Sequence, residues 1–85
     1  MSGTRVGVVE HFYDRISVAV INLTDTIKVG DTVHFLGHGV DFQQEVTSLQ
    51  IEHEVVQSAG QGQQVAIKVS KPVKRETAIF KITEE

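Results

Sequence analysis

Four histidines, His11, His34, His38 and His53, are the side chains here best suited to bind a metal or move a proton near neutral pH. His34 and His38 share a strand parity, but an i, i+4 pair on an extended chain lies about 13 Å apart. One ion cannot bridge that distance unless Gly37 folds the chain back, and no acid stands at ligand spacing. The histidines therefore read as surface residues, and no metal site is expected. Glu52 and Glu54 flank His53, which is a charge pattern rather than a catalytic geometry. Two residues apart on a strand end, the two carboxylates would face water together instead of straddling a bond to be broken. Serines stand at 2, 17, 48, 58 and 70, none within a Gly-x-Ser-x-Gly elbow, and there is no cysteine to act as a thiolate nucleophile. The sequence predicts no enzyme, no catalytic residue and no cofactor.

The charged residues offer binding chemistry instead. Lys68, Lys71, Lys74, Arg75 and Lys81 face a single acid, Glu76, so residues 68–81 carry +4 while the rest of the chain carries −7. Such a segment is either a solvated hairpin rim or a patch facing RNA or another anion. Phe12, Tyr13 and Phe42 fall near turns and offer flat faces on which a base could stack, although core packing also suits the two phenylalanines. The whole chain is mildly acidic at −3, which is not the profile of an obvious nucleic-acid binder.

The elements that must carry these side chains are strands. The 85 residues include 14 Val, 7 Ile and 7 Thr against three Leu and four Ala, a composition that resists helix and suits a pleated surface. Six strand-length runs follow: 5–12, 16–23, 32–36, 44–53, 64–69 and 78–82. Alternation places Val33 and Phe35 on one face of the third run and Val65, Ile67 and Val69 on one face of the fifth. Val46 and Leu49 have opposite parity, so a bulge is expected between them within one long, bent strand. Ala78, Phe80 and Ile82 share one face of the last run, with Ile79 and Lys81 opposite. The expected domain spans 5–82, with flexible ends at 1–4 and 83–85.

The second run is apolar on both faces. Ile16, Val18 and Val20 lie on one side, and Ala19, Ile21 and Leu23 on the other. A strand buried on both sides needs cover outside its own sheet. Either a bulge or loop supplies it, or the run is a protein interface involving Val18, Val20, Ile21 and Leu23, with a weak homodimer as one form.

With no cysteine there is no disulfide and no thiolate zinc site. No apolar stretch approaches the roughly 18 residues of a membrane span. Residues Met1 to Arg5 lack the apolar core of a signal peptide. The expectation is a cytoplasmic protein with no membrane partner.

One turn is more specific. In Lys28-Val29-Gly30-Asp31, glycine stands third, where a type II turn requires positive φ. Residues Leu23 to Gly37, which contain this turn, resemble the second domain of translational GTPases such as elongation factor Tu and initiation factor two. Glu45 to His53 is similar to that domain's next strand. Ala59-Gly60-Gln61-Gly62-Gln63-Gln64-Val65 is similar to its glycine-containing stretch, with Gln61 in place of the usual acid. Val73-Lys74-Arg75-Glu76 before a closing strand also fits, so the likeness covers residues 5–82. It implies an all-β, six-stranded closed Greek-key barrel and a translation-related binding module that contacts RNA or a larger protein. The phosphate-cradling Gly-x-x-x-x-Gly-Lys-Ser/Thr loop is absent, so no nucleotide hydrolysis is implied. Related barrels also occur as accessory domains of collagenase-like peptidases, which gives the alternative of an accessory or docking unit for such an enzyme.

Overall fold

The computed structural model describes residues 2–83. Within them the chain is all-β, with eight strands in one antiparallel sheet. These are β1 (Ser2–Tyr13), β2 (Val18–Leu23), β4 (Thr32–Gly37), β5 (Val40–Glu45), β6 (Leu49–Ile51), β7 (Glu54–Val56), β9 (Gln64–Lys68) and β10 (Ala78–Thr83). Their order across the sheet is β5-β4-β10-β1-β2-β9-β6-β7. Two short strands, β3 (Ile27–Lys28) and β8 (Ser58–Ala59), form a separate antiparallel ladder. β1 begins at Ser2, three residues before the expected start, and pairs with β10 from Ser2↔Thr83 onward. The end expected at 83–85 lies outside the described residues except for Thr83.

Strand alternation builds the core. Val33 and Phe35, then Val65, Ile67 and Val69, are buried as the alternation requires. In β10 the buried member is Ile79, while Ala78, Phe80 and Ile82 remain half-exposed. β1 departs from simple alternation. Its pairing shifts once against β10 between Arg5 and Gly7, and once against β2 between Val9 and His11. These irregularities let Val6 and Val9, three residues apart, both reach the core, with Phe12 packed against it.

The region expected as one bent strand over 44–53 is two elements. β5 ends at Glu45 and β6 begins at Leu49, so a change of direction, not a bulge, carries both Val46 and Leu49 inside. Glu52 and His53 then form a two-residue hairpin loop between β6 and β7, at φ of 51° and 68°. Two successive positive φ values are the mark of a type I′ turn, which usually carries Asn-Gly. A Glu-His pair gives no such signal, so the hairpin was invisible in the sequence.

The Lys28–Asp31 turn forms as expected. The Asp31 N–H donates to the Lys28 carbonyl at 3.1 Å, and Gly30 sits at φ 99°. A Cβ at Gly30 would meet no atom within 4 Å, so the conformation alone demands glycine. Gly30→Val should therefore destabilise by about 1–3 kcal/mol through backbone strain. Paired thermal melts check this, and an unchanged midpoint would refute the turn's dependence on glycine.

Candidate functional site

The strand pairing makes the outer face of β2 part of a broad surface. Ala19, Ile21 and Leu23 point into the core, at 3% exposure or less. Ile21 and Leu23 therefore cannot contribute to an interface, and those two of the four interface residues expected from sequence are core residues instead. Both runs of alternation in this strand are apolar, and the sequence alone does not say which one the sheet turns inward. Val18 and Val20 face outward and are half-buried.

Around them the register assembles rows of side chains. His11, Val20, Ala66 and Gln50 align across β1, β2, β9 and β6. Tyr13, Val18 and Lys68 align in the next row. On the other side of Val20, Glu10 accepts a hydrogen bond from Asn22 Nδ2 at 2.6 Å, and the Asn22 side-chain oxygen accepts one from Gln64 Nε2 at 3.1 Å. That polar chain borders an apolar hollow of about 580 Å³, lined in part by Tyr13, Ile16, Val18, Val20, Ile51 and Ala66. Ile16 is 61% exposed and Tyr13 49%, while Val55 on β7 is 69% exposed. Exposed apolar side chains gathered beside a hollow with a polar border are the pattern of a docking surface. Ile16, Ile51, Val55 and Ala66 were missed as a group, because only the successive pairing of β2 with β9, β9 with β6 and β6 with β7 brings them together.

The five basic residues do not form one patch. Lys81 Nζ lies 3.7 Å from Asp31 Oδ2, whose carboxylate also accepts the Lys28 N–H at 2.9 Å. Asp31 is mostly buried, so Lys81 compensates a structural carboxylate and is not a free cation. Lys68 is exposed on β9 opposite Val18. Lys71 sits over the Phe42 ring at 5.8 Å. Phe42 in turn stacks on buried Phe35, with centroids 5.0 Å apart, so it is a packing residue rather than a face for bases.

Lys74 and Arg75 remain together. They line a second groove with His11, His38, Phe12 and Val73. The loop bearing them is fixed by Thr77, the one buried polar residue among the described residues. Thr77 Oγ1 donates to the Lys74 carbonyl at 2.7 Å and accepts the Lys74 N–H at 3.3 Å. The other histidines are separate: His34 Nε2 lies 2.6 Å from Asp41 Oδ1, and His53 occupies the hairpin turn.

No protein-family model matches the chain. It is 34% identical over 80 residues to an uncharacterized protease of Methanocaldococcus jannaschii, covering 93% of this chain and 20% of that protein. The chain thus spans about a fifth of the length of the curated relative it matches. Among solved structures, it superposes on the C-terminal domain of a Geobacillus thermoleovorans protein assigned to the U32 peptidases. The TM-score is 0.88 and the identity 22%, covering 93% of this chain and 92% of that one. The selenomethionine variant of the same domain gives a TM-score of 0.86, again at 22% identity, covering 89% and 96%.

These findings overturn the likeness to the second domain of translational GTPases and, with it, the translation-factor reading. The motifs behind that likeness are a type II turn and a glycine-containing bend, both of which report turn geometry rather than ancestry. By sequence the chain is similar to a protease, and its fold is that of the C-terminal domain of a U32 peptidase.

Proposed function

We propose that the chain is a non-catalytic accessory domain that docks on the body of a collagenase-like peptidase through the outer face of β2. The observation carrying this reading is the exposed apolar surface formed by Tyr13, Ile16, Val18 and Val20. The similarity to one fifth of a protease supports it, because such a domain has a much larger body to meet. The cytoplasm is the compartment we propose, consistent with a chain that needs no disulfide.

The large sheet has eight strands, not the six expected from the resemblance, and in the same reading it curls into a closed barrel. The Gln44 side chain of edge strand β5 supports this closure. Its Nε2 donates to the Lys68 carbonyl, and its Oε1 accepts the Ser70 N–H, both at 2.8 Å. A closed frame of this kind holds the docking face rigid, which lowers the entropy cost of binding.

Nuclease-treated affinity capture tests the reading. Wild-type chain should retain one stoichiometric protein bearing a peptidase body. Val20→Glu should lose it by tenfold or more while melting like the wild type, since Val20 lies outside the core. Retention of RNA alone, or equal retention by Val20→Glu, would sink the proposal.

A further inference from the structure

The groove beside the docking face has a different chemistry. Three separate elements converge on it: His11 from β1, His38 from the β4–β5 turn, and Lys74 and Arg75 from the loop before β10. It is an open groove of about 630 Å³ with no acidic side chain among its lining residues. That is notable in a chain with more acids than bases.

The nearby carboxylates on the packed elements have other partners. Asp41 meets His34 at 2.6 Å, and Glu10 accepts the Asn22 side-chain amide at 2.6 Å. Glu76 adjoins Arg75 in sequence, but its side chain is not part of the lining. The backbone that carries the cations is held in place. Val73 is 4% exposed and anchors the loop, and the Thr77 hydroxyl fastens Lys74 through both its carbonyl and its N–H. His38 is held at φ 54°, between two glycines that also have positive φ. The floor is apolar, formed by Phe12 and Val73, while His11, His38, Lys74 and Arg75 are exposed around it.

We propose that this groove binds a phosphate group. Arg75 supplies a planar fork of donors, Lys74 a compact charge, and each imidazole one ring N–H even when neutral. Four donors arriving from three elements suit the several oxygens of a tetrahedral phosphate better than the two oxygens of a carboxylate. The site is independent of the docking reading, since none of its residues belongs to the apolar hollow. The two surfaces meet at His11, which pairs with Val20 across the strands and packs its ring against Tyr13, with centroids 4.5 Å apart.

The test is a titration of the full chain with inorganic phosphate, followed by amide NMR at fixed ionic strength. Saturable shifts should centre on His38 and on residues 74–76. Acetate at equal ionic strength should produce at least tenfold weaker binding. Lys74→Gln with Arg75→Gln should weaken phosphate binding tenfold or more. Both side chains are exposed, so the fold should be retained, and the melting curve verifies it. Lys28→Gln, an exposed lysine outside the groove, should bind as wild type. A nucleoside monophosphate and O-phosphoserine form a second arm. Whichever binds more tightly identifies the source of the phosphate, and tight binding of either supports the site. Shifts that never saturate, that spread evenly over Lys28, Lys68 and Lys71, or that acetate reproduces would overturn it.

Discussion

Phe35→Ala should lower the stability of this domain by about 3–5 kcal/mol, the range for deleting a buried aromatic ring. A domain of this size has a total stability at the lower end of about 5–15 kcal/mol, so much of the population should unfold at moderate temperature. Phe35 is fully buried on β4, and its strand partners on either side are Phe42 and Ile79. The Phe42 ring lies nearly parallel to it, at 12°. Alanine would open a cavity beneath that ring and remove the surface on which it rests. Phe42 then loses its stacking contact, which adds to the cavity cost. Lys71, held over the Phe42 ring, should also become more mobile. Urea denaturation checks this: the midpoint should fall with the slope unchanged. A loss below 1 kcal/mol would mean that Phe35 does not anchor the core. Phe35→Leu serves as a milder companion that should remain folded, so the measurement is informative even if the alanine variant is too unstable to purify.

The features legible in the sequence were those governed by local rules. Alternation grouped Val33 with Phe35 and Val65 with Ile67 on single faces, which the structure buries, and the glycine of Lys28–Asp31 marked its turn. What could not be read depended on partners distant in the chain. Which face of β2 turns inward is decided by pairing with β1 and β9, so Ile21 and Leu23 could not be told from Val18 and Val20. The β6–β7 hairpin lacked turn residues because Glu52 and His53 tolerate positive φ without advertising it. Lys81 looked like its basic neighbours until the fold set it beside Asp31. Conversely, His11 and His38 gave no reason to be grouped with Lys74 and Arg75. Twenty-seven positions separate the two histidines, and only the sheet brings them to one groove. The family likeness went astray for a related reason. Turn chemistry is shared by many small β folds, whereas 34% identity across nearly the whole chain depends on the core and surface together.

The second large effect should come from adding atoms, not removing them. Phe42, Phe35, Ile79, Gly7 and Leu23 are paired in turn across β5, β4, β10, β1 and β2. Glycine is the member with no side chain, and the structure shows why. A Cβ at Gly7 would lie 2.7 Å from the Asn22 carbonyl oxygen, 2.9 Å from Ile21 Cγ2 and 3.4 Å from Leu23 Cα. Two of these are backbone atoms of β2 and cannot rotate away. Relief requires β1 and β2 to separate just where Gly7 pairs with Leu23. Gly7→Ala should cost at least the roughly 1–3 kcal/mol typical of overpacking. Gly7→Val, with two further methyls at the same place, should cost more and approach the loss of cooperative folding. Gly3 provides the control on the same strand, because a Cβ there would meet nothing closer than 3.6 Å. Gly3→Ala should therefore melt within about 0.5 kcal/mol of the wild type, as surface substitutions usually do. The difference also bears on function. β1 carries His11 and Tyr13 to the two candidate surfaces, and both lie on the stretch that pairs with β2 beyond Gly7. If Gly7→Ala remains folded, the amide shifts of His11, Tyr13 and Val20 should move more than those of β4 and β5. An alanine variant as stable as the wild type, with those shifts unchanged, would show that β2 yields at no cost and that the close approach of the two strands does not hold this face in place.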